Sequence, residues 1–463
     1  MKRLITILVL VFFIAALLVV PAGADSTKSY ILMAKGNKLP KGLEAKVAAA
    51  GGTIDRYIEQ VGLVVVSSND PNFSVNAAKI SGISDVMPNV VSQWVGPLGD
   101  FNPEDISVSE DFGNPPVSGD DDFFFDLQWG HDAVDAPEAW NEGYRGAGAR
   151  VAVLDGGFDL DHPDLAPNIN MALSMNFVAG ETLQYALPDP FSHGSHTAGT
   201  IAAADNGFGT MGVAPEAELV LVKVLGDEGS GSFADVISGI VYAADVDADI
   251  ISMSLGAYLN KNGFCDSEGC VSANEVAALV NAIKRATDYA NKEGSLVIAS
   301  AGNDAIDFDH TANLIHIPSD LPKVLSISAT APIGWATDPG NIFLDNLASY
   351  SNYGQSAIDF GAPGGDFVYP GEEACLIAGL LRPCWVFDLV FSTGNNGWYW
   401  SAGTSMAAPH ASGVAAIIVG MNGGDMNPAH LEAALRASAD DLGKPGNDDA
   451  YGAGRVNAYN AVR

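Results

Sequence analysis

Beyond residue 148 the chain carries six short runs rich in Val, Ile, Leu and Ala, with helical stretches between them: ARVAVLD, AELVLVKVL, ADIISMSL, GSLVIASA, KVLSISAT and AIDFGAPG. A strand with one wet face shows a polar residue at every second position. These runs are mostly continuous Val, Ile, Leu and Ala, broken chiefly by small serines, which points to cover on both faces by helices. Helical stretches are legible in NEVAALVNAIKRATDYANKEG and PHASGVAAIIVGM. The pattern restricts the chain to the α/β class, with a mostly parallel sheet between two helical layers. There is no internal repeat.

The charge is divided unevenly. Of 22 Lys and Arg and 56 Asp and Glu, nine and seven fall in residues 1–100, which leaves 13 and 49, a formal charge of −36, for residues 101–463. A surface this anionic repels a phosphate backbone, so no nucleic-acid partner is expected. Such self-repulsion favours solubility and is relieved by bound cations or salt.

Lys2 and Arg3 precede the apolar run Leu4 to Val20 and the small residues Ala22-Gly23-Ala24, the pattern of a signal peptide over residues 1–24. Its alternative is an uncleaved anchor, since the run lies at the short edge of a spanning helix. Export is the expected fate, with an extracellular location, and no other run is expected to span a membrane. No cysteine follows the cleavage site, so no lipid anchor and no stable membrane partner are expected. The four cysteines form two local pairs, Cys265/Cys270 and Cys375/Cys384, most simply two disulfides that each close a surface loop. Two other pairings remain open, and a Cys₄ metal site lacks the C-x₂-C knuckles it would need.

Residues 28–96 have a rhythm of their own. KSYILM, GLVVVSS and VVSQWV read as strands, and LEAKVAAA and VNAAKISGI as helices, in a βαββαβ-like split module. From Gly96 to Gln128 the composition turns to Gly, Pro, Asp, Glu and Ser, which reads as an exposed linker open to proteolysis.

Three motifs place reactive side chains beside glycines. Asp155 ends the strand of VAVLDGG, His193 and His196 open the small-residue helix of HGSHTAGTIAA, and Ser405 lies in the turn of SAGTSMAAPHASGVAA. Nucleophilic acyl transfer needs a hydroxyl, an imidazole to take its proton and a carboxylate to fix the imidazole tautomer. It also needs an oxyanion donor, and Asn303 of SAGN offers a side-chain amide. Singly, each residue reads as a turn, cap or core residue. Two histidines at i, i+3 with Asp155 could suggest a metal, but the glutamate of H-E-x-x-H is missing.

The chain from about Phe125 to Arg463 resembles the subtilisin-like serine peptidases in GTSMAAPH, HGSHTAGT and AGN, with weaker matches in QWG, DAPEAW, MGVAPEAEL, SLGA and YGAGRVNAYNAV. The resemblance implies a three-layer subtilisin-like fold and a serine endopeptidase that hydrolyses peptide bonds in proteins through an acyl-enzyme. It implies Ser405 as nucleophile, His193 as general base then acid, Asp155 as orienting carboxylate and Asn303 with the Ser405 N–H as oxyanion hole. His196 is then structural. Gly156 stands where the family usually has Thr or Ser, which would loosen hydrogen bonding around Asp155. Ser195 stands where Thr is usual.

Leu225–Phe233 and Ser252–Ala257 resemble the two edges between which the family's extended substrate lies. Gly229, Ser230, Gly231, Ser254, Leu255, Gly256, Ala301 and Gly302 are implied in substrate binding, the glycines because a Cβ would obstruct the incoming backbone. Asp304 and His316 are placed at the pocket for the residue before the scissile bond, where Asp304 would favour basic substrates. The stretch His193–Pro215 fits the family's calcium loop, implying structural Ca²⁺ held by Asp164, the Asn206 side chain and the Ala204, Phe208 and Thr210 carbonyls, with a contribution near Phe125 or Asp126. Residues 25–105 resemble an inhibitory, folding-assisting propeptide of ferredoxin-like α+β type. Residues 106–127 would then be the linker and mature N-terminus, and 128–463 the catalytic domain of a monomer. Broad specificity is expected, with a narrow processing peptidase and a silent peptide-binding homologue as the alternatives.

Overall fold

The computed structural model describes residues 27–96, 122–265 and 269–463. The segment expected to be a signal peptide, residues 1–24, and residues 97–121 lie outside the described residues.

Six parallel strands form the centre, in the spatial order Val324–Ala331, Leu296–Ser300, Ile250–Met253, Arg150–Asp155, Glu218–Lys223 and Met175–Asn176. Phe360–Pro363 adds to Val324–Ala331 in parallel, and Asn346–Leu347 pairs with it antiparallel. All six apolar runs are strands of this sheet, and four of them are buried along their whole length. Helices Phe233–Asp245 and Ala273–Glu293 cover one face, and His193–Ala202 and Thr404–Met421 the other, so each face has its own hydrophobic core. Ala273–Glu293 begins in a capping box, in which Ser272 and Glu275 each satisfy the other's backbone N–H. Thr404–Met421 is long and apolar enough to cross a membrane, contrary to the expectation that no second run would be, but it is buried in the core.

Residues 27–96 form a βαββαβ unit with sheet order Thr53–Ile58, Leu63–Ser68, Lys28–Ala34, Ile83–Pro88, all pairs antiparallel. Three of its elements differ from the sequence reading. Thr53–Ile58 is an additional strand, and Ile83–Pro88, not VVSQWV, is the last strand of the sheet. The second helix is confined to Phe73–Ala77, ahead of the expected span. One face of this sheet packs on its own helices through Leu32, Val64, Val66 and Phe73. The other face, with Ile31, Met33, Leu63 and Val65, joins the core beneath helices Phe233–Asp245 and Ala273–Glu293. Burial on both faces explains why ILM and LVVV read as unbroken apolar runs although the sheet is antiparallel. At the rim Arg56 meets Asp235 at 2.8 Å and Ser238 at 3.0 Å, and Arg285 donates to the Ala34 carbonyl at 3.1 Å.

The exposed linker does not extend to Gln128. Asp122, Phe124, Leu127 and Gln128 are buried, and Phe124 packs on Phe391 and Trp398. Both disulfides are local, Cys265–Cys270 and Cys375–Cys384, and the latter staples the hairpin of Ala374–Ile377 and Leu380–Pro383.

Candidate active site

Asp155 ends its strand with the carboxylate buried. The chain then turns through Gly156 and Gly157, where a Cβ on Gly157 would stand 2.2 Å from the Asp227 carboxylate. His193 is the first residue of its helix, which is capped by the Ser192 side chain. Its Nδ1 lies 2.8 and 2.9 Å from the two Asp155 oxygens, so that nitrogen carries a proton and Nε2 is left free of Asp155. Gly156 N–H donates to the same carboxylate at 2.7 Å and the Thr197 hydroxyl at 3.2 Å. The carboxylate is thus held from three sides, and a glycine at position 156 does not leave it loose.

Ser405 is the second residue of helix Thr404–Met421, where the N-terminal end of the helix favours negative charge. Its hydroxyl donates to the Ser254 carbonyl at 3.2 Å, while buried His193 Nε2 has no hydrogen-bond partner among the described residues. The proton acceptor and the hydroxyl line one cavity of about 460 Å³ but are not hydrogen-bonded to each other in this conformation. Asn303 faces the same cavity. Its side-chain oxygen accepts from Thr404 N–H and the Thr404 hydroxyl, both at 2.8 Å, which turns its NH₂ group away from Thr404. His196 lies beside this set but is fully buried, with Nε2 directed at the carbonyls of Tyr399 (3.0 Å) and Val390 (3.3 Å). Burial pushes its pKa down to about 3, as a structural histidine requires.

The two expected edges are occupied by the chain itself. Val91–Gln93 pairs antiparallel with Ser230–Ser232, Trp94 and Val95 both donate to the Gly229 carbonyl, and Gly256 N–H donates to the Trp94 carbonyl at 2.9 Å. The Trp94 ring is buried against Phe233 at 4.8 Å, and its Nε1–H donates to the Gly231 carbonyl at 2.8 Å. The following residues, Val95 and Gly96, line the cavity of Ser405 and His193. VVSQWV therefore holds a strand, Val91–Gln93, but one that completes the cleft rather than its own module.

Only one of the three glycines is small on account of the incoming backbone. At Gly229 a Cβ would meet the Val95 carbonyl at 2.9 Å. At Gly231 it would meet Leu225 at 2.6 Å, and at Gly256 the His316 ring at 2.2 Å, both from the surrounding protein. Ser254 donates to the Ser405 carbonyl at 2.7 Å, and Leu255 is buried beside the cleft. The Ala301 carbonyl accepts from Asn352 at 2.7 Å, and Gly302, at φ 98°, adopts the left-handed backbone glycine permits. His316 lines the pocket, pinned at Nδ1 by the Ser319 hydroxyl at 2.7 Å and pushed by burial to a pKa of about 4, so it is neutral. Asp304 lines the cavity too and is hydrogen-bonded to the Tyr258 hydroxyl, whose pKa it helps raise after burial.

Sequence reasoning missed Trp94 as the anchor of the cleft strand, although a lone Trp in a polar stretch was a signal. It also missed Lys223, a fully buried ammonium at the end of strand Glu218–Lys223, paired with Glu181 and with Asp227 in the Gly226–Gly231 turn.

The expected calcium loop folds around buried Asp164. One Asp164 oxygen accepts from Thr210 N–H at 2.8 Å and Trp398 Nε1–H at 2.7 Å, and the other has no partner among the described residues. Asp122, beside the loop, accepts from Phe208 N–H at 3.0 Å. Among the described residues no three His, Cys, Asp or Glu side chains converge on a metal, so a cation here would depend on backbone oxygens.

The pattern of the Subtilase family matches residues 146–454. M-protease of Shouchella clausii (strain KSM-K16) is 35% identical over 339 residues, covering 73% of this chain and 70% of that protein. Thermitase of Thermoactinomyces vulgaris is 32% identical, over 74% of this chain and 98% of its own length. Among solved structures, a lanthipeptide protease is 31% identical with a TM-score of 0.57, over 73% of this chain and 95% of that one. The epidermin leader peptide processing serine protease of Staphylococcus aureus superposes with a TM-score of 0.72 over 94% of this chain and 98% of its own, at 22% identity, a likeness of fold. The chain belongs to the subtilase family. It is a subtilisin-like serine endopeptidase.

Proposed function

We propose that this is an exported endopeptidase that cleaves proteins through Ser405, His193 and Asp155 and is held inactive by its own residues 25–105. The observation that carries the reading is the segment Val91–Gly96, which pairs in the cleft as a strand over Val91–Gln93 and leads into the cavity of Ser405. Rotation of the Ser405 hydroxyl from the Ser254 carbonyl toward His193 Nε2 would start the reaction; looser contacts before substrate is engaged are common in such sites. The hydroxyl proton passes to Nε2 as the oxygen bonds to the scissile carbonyl carbon. The oxyanion that forms is met by the Asn303 NH₂ group and the Ser405 N–H. The proton then goes to the leaving amine as the C–N bond breaks, and water hydrolyses the acyl-enzyme by the same steps.

The precursor would mature by a cut between Gly96 and Asp122, because Asp122 and Phe124 are built into the peptidase core. A fluorophosphonate probe should label Ser405 in the mature enzyme, and Ser405→Ala should accumulate as full-length precursor. Absence of labelling would overturn the mechanism, and maturation of purified Ser405→Ala would overturn self-processing. Removal of the Asn303 amide should lower the rate about 10²- to 10³-fold, the cost known from subtilisin itself.

Calcium suits the loop around Asp164. The partnerless buried carboxylate oxygen and the carbonyls of Ala204, Phe208 and Thr210, with Asn206 beside them, offer the oxygen set that Ca²⁺ takes. The ion would hold the loop and take no part in the reaction. Chelation should shorten the half-life at elevated temperature in the parent, and less so in Asp164→Asn; equal half-lives with and without chelator in the parent would refute the site.

A narrow processing role is the second reading, favoured by the tight seat of Trp94 and by the likeness to the lanthipeptide protease. Peptide-library profiling separates the two, since one dominant cleavage motif contradicts broad specificity.

A further inference from the structure

The cavity that holds Ser405 and His193 also reaches Tyr350 and Phe367. Phe367 belongs to neither edge that pairs with Val91–Trp94. It follows Asp366, a buried carboxylate that accepts from Phe367 N–H at 2.7 Å, Ser349 N–H at 2.5 Å and the Ser349 hydroxyl at 3.0 Å. Its ring stacks on Tyr350 at 6.1 Å with the planes 23° apart, yet the residue is 56% exposed. The Tyr350 hydroxyl in turn donates to the Gly365 carbonyl at 2.6 Å, and the neighbouring Gly364 carbonyl accepts from Gly403 N–H, two residues before Ser405. A fixed backbone therefore presents an aromatic face to solvent beside the nucleophile. Solvent-exposed rings held this way are good anchors, because little conformational freedom is lost on contact.

The direction of the cleft strand says which part of a substrate would meet it. Val91–Gln93 runs along Ser232–Ser230, Trp94 lies between Gly231 and Gly256, and Val95 and Gly96 follow into the cavity. The pocket side, with Gly256, Tyr258, Gly302 and His316, flanks this approach. Tyr350 and Phe367 line the same cavity but belong to neither segment that holds Val91–Trp94, and Tyr350 is tied through Gly364–Gly365 to the Gly403 turn that precedes Ser405.

We propose that Phe367 is a specificity-determining residue for the leaving-group half of the substrate, selecting an apolar or aromatic side chain in the first two positions after the scissile bond. The inference rests on Ser405 being the nucleophile. Covering roughly 60 Å² of the ring at about 25 cal/mol per Å² amounts to a preference of about tenfold.

The test uses the mature enzyme produced from the full chain. Internally quenched peptides share one sequence up to the scissile bond and carry Phe, Leu, Gly or Asp after it. A peptidyl methyl ester with the same acyl part has no leaving-group side chain and serves as reference. The wild type should favour Phe and Leu over Gly and Asp, and Phe367→Ala should reduce that preference about tenfold, mainly through KM, relative to its effect on the ester. Phe367→Leu should keep most of it. An unchanged preference in Phe367→Ala, or an equal loss on peptides and ester, overturns the inference while leaving the nucleophile in place. A wild type that hydrolyses neither substrate overturns the Ser405 reading and this one with it.

Discussion

Trp94→Ala, introduced into the full-length Ser405→Ala chain so that no cleavage intervenes, should free the cleft strand. An indole buries about 150–250 Å². At about 25 cal/mol per Å² full transfer from water is worth roughly 4–6 kcal/mol, and the bond from Nε1 to the Gly231 carbonyl adds about 1. Part of the indole stays covered when the strand lifts off, so a loss of about 3 kcal/mol is a fair working value. The amides of Trp94 and Val95 both donate to the Gly229 carbonyl, and their hydrogen exchange reports opening of this strand. A loss of about 3 kcal/mol should speed their exchange about 10²-fold, while amides in Leu63–Ser68 should stay protected. Trp94→Phe keeps the contact with Phe233 and loses the hydrogen bond, so exchange should rise only about fivefold. Exchange in Trp94→Ala within twofold of the parent would refute the view that Trp94 anchors the strand.

Thr404→Val removes the hydroxyl that bonds to the Asn303 side-chain oxygen and accepts from Gly302 N–H at 3.0 Å. The oxyanion donor should then be less well aimed, with kcat down about tenfold and KM little changed; an unaltered kcat would sever Thr404 from Asn303. Gly256→Ala sets a Cβ against the pinned His316 ring, and overpacking of this kind costs about 1–3 kcal/mol, visible as faster thermal inactivation. His316 is neutral when folded, with its pKa lowered by burial to about 4 against about 6.5 when unfolded. Its contribution is complete above pH 6.5 and is lost as pH falls toward 4, because only the unfolded chain takes up the proton. Relative to His316→Asn in the Ser405→Ala background, the parent should lose about 2 kcal/mol between pH 7.5 and 5 in denaturant unfolding; a pH-independent difference would show that the ring is not held neutral.

The residues of the site were legible because their chemistry is carried by local sequence. Asp155 ends an apolar run, His193 opens a small-residue helix and Ser405 sits in a Gly-Thr-Ser turn, and each of these positions follows from backbone rules a few residues long. Where the reading went astray, the partner was remote. Gly256 is small because His316, far along the chain, stands against it, and nothing in Ser252–Ala257 names that neighbour; the Leu225 contact of Gly231, by contrast, lies within its own motif. The Asp155 carboxylate keeps its hydrogen bonds beside Gly156 because Thr197, a turn into the next helix, supplies one.

VVSQWV shows the boundary between the two kinds of knowledge. Its valines marked it as extended, and Val91–Gln93 is a strand, because β-branched side chains suit a pleated, partly covered surface. Its partner could not be read, since a strand's hydrogen-bonding edge carries no address. Docking of the module's sheet through Ile31, Met33 and Val65 placed the segment over Gly229 and Ser230, and that placement came from shape and burial across distant parts of the chain. The sequence by itself determined the class of sheet, marked the candidate reactive residues and favoured local cysteine pairing while leaving two other pairings open. The tertiary structure alone decided that the chain fills its own cleft, that Trp94 is seated there, and that an aromatic face at Phe367 waits beside Ser405.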